Sequence, residues 1–124
     1  MIAVDSSSLI AYFGGDAGDD VDWLDQGLAM NQVALPPVVL TEMLSSPGLD
    51  DRVARLLGEL PVLDLHAGFW TRAAATRGLI LARRLRARLA DTLIAQTCID
   101  HRLPLITRDR DFRHFAAYAG LALA

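Results

Sequence analysis

"LITRDRDF" (residues 105–112) is the stretch on which the reading of this chain turns. Leu105 and Ile106 read as the end of a buried strand. Directly behind them Arg108, Asp109, Arg110 and Asp111 alternate in charge. A turn needs at most one Asp or Gly, so two acids interleaved with two arginines point beyond turn chemistry. Upstream, "DTLIAQTCIDH" (91–101) is a helical run whose Leu93, Ile94, Thr97 and Cys98 suit an inward face, and Pro104 stops it. Downstream, "FRHFAAY" (112–118) reads as a short helix and "LALA" (121–124) as a final strand.

The same alternation extends outward to the amino terminus. "MIAV" (1–4) is strand-like and leads into "DSSSLIAYFGG", where Ser6 to Ser8 can cap a helix and Gly14-Gly15 end it. Val21, Trp23, Leu24 and Leu28 form a helical stripe with acids opposite. "QVALP" (32–36) is a second strand, and Pro36-Pro37 open a helix bearing Val38, Val39, Leu40, Met43 and Leu44. Beyond "SSPG" (45–48), residues 50–58 form a short helix, "PVLDL" (61–65) a third strand, and His66 to Leu89 a mostly helical stretch with a bend at Gly78. Strands alternating with helices predict an α/β fold, a three-layer α/β/α sandwich around a mostly parallel sheet with right-handed crossovers. The 124 residues suffice for one domain, 1–124, with a real core.

Composition removes several classes of function. The chain is 52% hydrophobic and 22% charged, which excludes disorder. No apolar run approaches the roughly 20 residues of a membrane span, and Met1 leads into a strand rather than a signal peptide, so a cytoplasmic location is expected. Cys98 is the single cysteine, which rules out an intrachain disulfide or a cysteine zinc cage. All 12 basic side chains are Arg, so lysine-dependent phosphate loops and Schiff-base chemistry are excluded. The net charge of −3 hides a segment from His66 to Ala90 with six arginines and no acid. Such a stripe is either a solvated helical face or an attractor for a polyanion.

In a parallel sheet, sites form at the carboxyl ends of strands. Asp5 follows the first strand, and Asp109 and Asp111 follow the strand at 105–106. Glu42 lies one to two turns into the helix after the second strand, and Asp91 starts the helix before "LIT". Asp5 and Asp91 can each be helix caps. Glu42, in "VVLTEML", falls near the buried side of its helix, where a lone carboxylate is costly. Carboxylates gathered in one pocket repel and need a cation. Oxygen ligands with few His or Cys favour Mg²⁺ or Mn²⁺, and such sites suit hydrolysis of a phosphodiester.

"IAVDSSSLIAYF", "LPPVVLTEML" and "LADTLIAQTCIDHRLPLITRDRDF", in this order, resemble the PIN domain, and more narrowly the VapC-type toxin of bacterial toxin–antitoxin pairs. The likeness covers nearly the whole chain and rests on the combination of motifs. It implies a Mg²⁺- or Mn²⁺-dependent endoribonuclease leaving a 5′-phosphate and a 3′-hydroxyl. The family's acidic quartet falls on Asp5, Glu42, Asp91 and Asp109, with Asp111 either a supplementary ligand or a group supporting the ligands from behind. Ser6 and Thr107 would lie beside the metal. Arg84, Arg88, Arg108 and Arg110 are the arginines expected to meet RNA, the last two pointing away from the metal toward phosphate or antitoxin. The partners implied are a small VapB-like antitoxin and a second copy of the chain, in a homodimer and a toxin–antitoxin hetero-oligomer. The alternative is a non-catalytic RNA- or partner-binding module on the same fold. Receiver and dehalogenase-like readings fail for want of a lysine and of Asp-x-Asp after the first strand. His66, His101 and His114 show no ligand spacing, Cys98 reads as core, and Trp23 and Trp70 as core or interface anchors.

Overall fold

The computed structural model describes residues 1–124. Its elements run β1 (Ile2–Val4), α1 (Ser6–Phe13), α2 (Asp19–Ala29), β2 (Val33–Ala34), α3 (Pro37–Leu44), α4 (Asp51–Glu59), α5 (Phe69–Ala82), α6 (Leu89–His101), β3 (Leu105–Ile106) and α7 (Phe112–Ala119). The sheet order is β2-β1-β3, all parallel. Ala3 is the registration point, opposite Ala34 on one side and Leu105 on the other. Helices cover the sheet, giving the expected α/β/α sandwich.

The two remaining predicted strands are reduced to single bridges. Val62 pairs with Leu35 and Leu123 with Leu105, each in parallel. "PVLDL" and "LALA" therefore flank the sheet without extending as strands. Both are short and solvent-facing, with Val62 and Leu123 each 42% exposed, so little burial rewards a longer ladder.

Burial is concentrated in α6, where Thr92, Ile94, Ala95, Gln96, Thr97 and Cys98 are all buried. Consecutive burial means contact on nearly all sides, as expected of a helix inside the domain. Its polar residues stay paired: Thr92 and Thr97 hydroxyls donate to the carbonyls of Arg88 and Leu93, and Gln96 bridges Thr76 and Asp100. Asp100 in turn meets the fork of Arg72 at 2.6 and 3.1 Å, tying α6 to α5. Phe112 and Phe115 anchor α7 in the core, fully buried.

Several local expectations change. α5 runs unbroken through Gly78, and the helix ends instead just before Arg84 turns to positive φ. Of the two caps expected for α1, Asp5 takes the place rather than Ser6 to Ser8, accepting from the Ser7 amide. Arg88 occupies the cap position of α6, which places Asp91 in the first turn rather than at the cap. Neither tryptophan is a core anchor; Trp23 is 43% exposed and Trp70 65%.

Replacing Phe112 with Ala should cost about 3–5 kcal/mol in urea unfolding, because it empties a fully buried site. Trp70→Ala should change stability by less than about 0.5 kcal/mol, as expected of an exposed surface position.

Candidate metal centre

The carboxyl edge of the sheet is built from the residues that follow β1 and β3. Because these strands are neighbours, Asp5 and Thr107 leave the sheet side by side. The Asp5 carboxylate is buried, yet its Oδ2 accepts from the Ser7 hydroxyl at 2.7 Å and the Thr107 hydroxyl at 2.9 Å. Thr107 also accepts from the Asp109 amide at 3.0 Å, and Asp109 Oδ1 accepts from the Asp111 amide at 2.9 Å. One chain of hydrogen bonds thus fixes the segment 107–111 against Asp5.

Opposite this segment, the first turn of α6 presents Asp91. Carboxylate oxygens of Asp91, Asp109 and Asp111 lie within 4.8 Å of one another, all half-buried. Asp91 Oδ2 is buried with no hydrogen-bond partner. Burial pushes the Asp91 carboxyl up to about 6; the charges of Asp109, Asp5 and Asp111 push the same way and Arg88 opposes them. An orphaned carboxylate oxygen among acids is what a bound cation would satisfy. The donor set, oxygens without His or Cys, fits Mg²⁺ or Mn²⁺.

Glu42 stands apart from this trio. The residue is exposed, not near the buried side as the helix pattern of α3 suggested, because Val39 and Met43 take the inner face. Its carboxylate accepts from the Ser6 hydroxyl at 3.1 Å, and Ser6 also reaches Asp5 Oδ1 at 3.5 Å. Glu42 is therefore joined to Asp5 through Ser6. Its pKa is raised mainly by desolvation of the carboxyl group, with the Asp5 charge adding and the Ser6 hydrogen bond opposing.

The arginines divide. Arg108 is exposed but paired: its Nε and Nη2 each meet the buried Asp20 at 2.8 Å, and Nη2 also donates to the Ala17 carbonyl. Arg110 is exposed beside Asp109, along a cavity of about 370 Å³ that Arg113 also lines. Arg84 and Arg88 are exposed on the stretch between α5 and α6, and Arg77 pins that stretch by donating to the Ala87 carbonyl at 2.8 Å. Arg86, which the sequence reading did not single out, comes within 3.7 Å of Asp111. Its signal was available in the alternation: Leu85 and Ala87 turn inward, so 84, 86 and 88 turn outward together.

His66 and His101, distant in sequence, meet with ring centroids 4.3 Å apart, and His101 Nε2 bonds the Asp64 carbonyl. Cys98 is fully buried, and desolvation pushes its thiol up to about 12, so it is an inert core residue. A groove of about 570 Å³ runs from Ser6 and Glu42 past Ile10, Phe13, Met43 and Leu49.

Residues 2–118 match the PIN domain. The chain belongs to the PIN domain family. PIN domains are generally nucleases that use divalent metal ions. No match was found among curated proteins. Among solved structures the fold is similar to that in VapBC2 from Rickettsia felis bound to a promoter DNA fragment (20% identity, TM-score 0.74, covering 100% of this chain and 98% of that one). It is similar too to FitAcB from Neisseria gonorrhoeae (22% identity, TM-score 0.70, covering 99% and 96%). A toxin–antitoxin complex from Klebsiella pneumoniae gives 23% identity and a TM-score of 0.68, covering 98% and 96%. At these identities the likeness is one of fold. This PIN domain thus carries three acids within reach of one ion, Asp5 beside them, and Glu42 linked through Ser6.

The raised pKa of Asp91 fixes the sign of a stability effect. Its folded form holds the proton more tightly than an unfolded Asp, so without metal this group costs nothing below about pH 4 and its full penalty above about pH 6. Melting of the metal-free protein should therefore fall relative to Asp91→Asn between those values. Allowing for solvent screening, the variant should gain on the order of 1 kcal/mol at pH 7. Saturating Mn²⁺ should erase the difference or reverse it. A parallel pH profile for the two metal-free proteins would overturn the assignment.

Proposed function

We propose that this PIN-domain protein is a Mg²⁺- or Mn²⁺-dependent endoribonuclease, and that it is the toxin of a VapBC-type toxin–antitoxin pair. The observation that carries the reading is the buried, unpartnered oxygen of Asp91 facing Asp109 and Asp111. When bound, the ion supplies Lewis acidity at the phosphate and neutralises the acids around it.

Asp91 and Asp109 hold the ion, with Asp111 completing the group. Asp5 closes the site from the β1 side, and the donors from Ser7 and Thr107 hold its orientation. Glu42, steered by Ser6 and with a raised pKa, is placed to accept a proton from water at the edge of the cluster. Arg84, Arg88 and Arg110 are exposed and free to grip phosphates flanking the cut. Arg86 joins them when its 3.7 Å contact with Asp111 opens. Arg108 is withdrawn from that role by its pairing with Asp20.

The toxin assignment draws support from the solved structures of like fold, one of which is a toxin–antitoxin complex and one VapBC2 on promoter DNA. The groove beside Glu42 offers apolar side chains at Ile10, Phe13, Met43 and Leu49, a surface suited to a short segment of a small VapB-like antitoxin. Exposed Trp70 and Leu89, on neighbouring α5 and α6, suit a homodimer contact. No helix is long and apolar enough to cross a membrane, and action on RNA implies a cytoplasmic setting.

The test is cleavage of a total-RNA pool with Mn²⁺ or Mg²⁺, wild type beside an identically purified Asp5→Asn. Wild type should cut only with the ion, and Asp5→Asn should lose roughly a hundredfold or more of the rate. Chelation by EDTA should abolish cutting. Equal cutting by the two proteins sinks the assigned site, and a toxic effect retained by Asp5→Asn favours the binding-module alternative.

A further inference from the structure

The acid-rich stretch at residues 16–25 and the interleaved arginine of "TRDRD" meet in space. Asp20, in the first turn of α2, is buried, and its Oδ2 accepts from the Ser8 hydroxyl at 2.7 Å as well as from Arg108 Nε at 2.8 Å. Its Oδ1 takes the second prong, Arg108 Nη2, at 2.8 Å. The backbone on either side of that guanidinium is part of the acidic centre. The Arg108 amide donates to the Ser7 hydroxyl at 3.2 Å, Ser7 donates to Asp5, Thr107 precedes and Asp109 follows. Gly18 makes room for the pair: at φ +152° a Cβ there would stand 2.6 Å from Asp20 Oδ1 and 3.0 Å from Arg108 Nη2.

An ion pair with one partner buried and the other partly exposed is weak evidence for stability, since desolvation of the buried charge offsets much of the attraction. Its two-pronged geometry does fix position and orientation, which a lysine could not do. We propose that Asp20 and Arg108 are positioning residues for the metal centre: the pair anchors segment 107–111 to the start of α2 and so sets where Asp5 and Asp109 point. Asp16, exposed and 3.8 Å from Arg108, is outside this role. The metal part of the proposal rests on the nuclease reading; the anchoring part does not.

The experiment compares Arg108→Ala, Asp20→Asn and the double variant with Arg72→Ala. The last removes an ion pair between α5 and the far end of α6, nine residues from Asp91. Stability, Mn²⁺ affinity by calorimetry and amide exchange of residues 107–111 in metal-free protein are measured on each. Arg108→Ala and Asp20→Asn should each weaken Mn²⁺ by about 10- to 100-fold, as loss of a ligand-orienting partner does. The double variant should lose little more than either single change, since both break one interaction. Exchange of the 107–111 amides should quicken, and Arg72→Ala should lower stability with Mn²⁺ affinity kept. Equal weakening of Mn²⁺ by Arg72→Ala and Arg108→Ala at matched stability overturns the proposal. A wild type that binds no Mn²⁺ sinks the nuclease reading instead; the anchor is then decided by exchange, and unchanged protection at 107–111 overturns it. Should Arg108→Ala fail to fold, Gly18→Ala, which crowds the pair without deleting a charge, carries the same readouts.

Discussion

Like charges held together at one edge of a small parallel sheet are the constraint on which this molecule depends. Parallel strands deliver their carboxyl ends to the same side, so Asp5 after β1 and Asp109 after β3 become neighbours by topology alone. The helix that precedes β3 starts at that edge and brings Asp91 with it. The chain then treats each carboxylate differently. Asp5, the most buried, is compensated by donors from Ser7 and Thr107. Asp91 has an oxygen with none. Compensated and uncompensated acids side by side favour the proposed cation site over an ordinary helix-capping cluster.

Much of this was legible in the sequence because it depends on local order. The strand–helix alternation gave the layers, and the acids after "IAV" and "LIT" gave the edge. What escaped was decided by contacts between distant segments. The outer strands shrank to bridges because their burial is slight, which no window of apolar residues reveals. Glu42 looked buried by helical period, but Val39 and Met43 define the inner face of α3. Arg108 looked like surface charge because its partner lies 88 residues away. The contact of His66 with His101 was invisible for the same reason.

The absence of lysine shapes the electrostatics more than the net charge does. Arginine forks serve here in two different states. Arg72 and Arg108 are engaged by the buried side chains of Asp100 and Asp20, each with two prongs on one carboxylate. Arg84, Arg86 and Arg88 stand outward on an extended stretch that Arg77 fastens from behind. A basic run in sequence therefore separates into fasteners and a row of exposed guanidiniums. Only the second group is available to a polyanion.

The division of labour among the acids follows from the same local chemistry. Four or five carboxylates at equal exposure would titrate as an undifferentiated group and would be poorly suited to assign one proton to one place. Here hydroxyls break the equality. Ser7 and Thr107 aim two hydroxyls at one oxygen of Asp5, whereas desolvation raises the pKa of Glu42 against the single donor Ser6. On the proposed reading, the first kind of acid suits a fixed place beside the ion and the second suits moving a proton. Ser6 touches both Glu42 and Asp5, so the side chain that separates the two environments also sets their relative position. Three consecutive serines at the start of α1 thus act differently: Ser6 couples Glu42 to Asp5, Ser7 fixes Asp5, and Ser8 reaches away to Asp20 and the anchor behind the site.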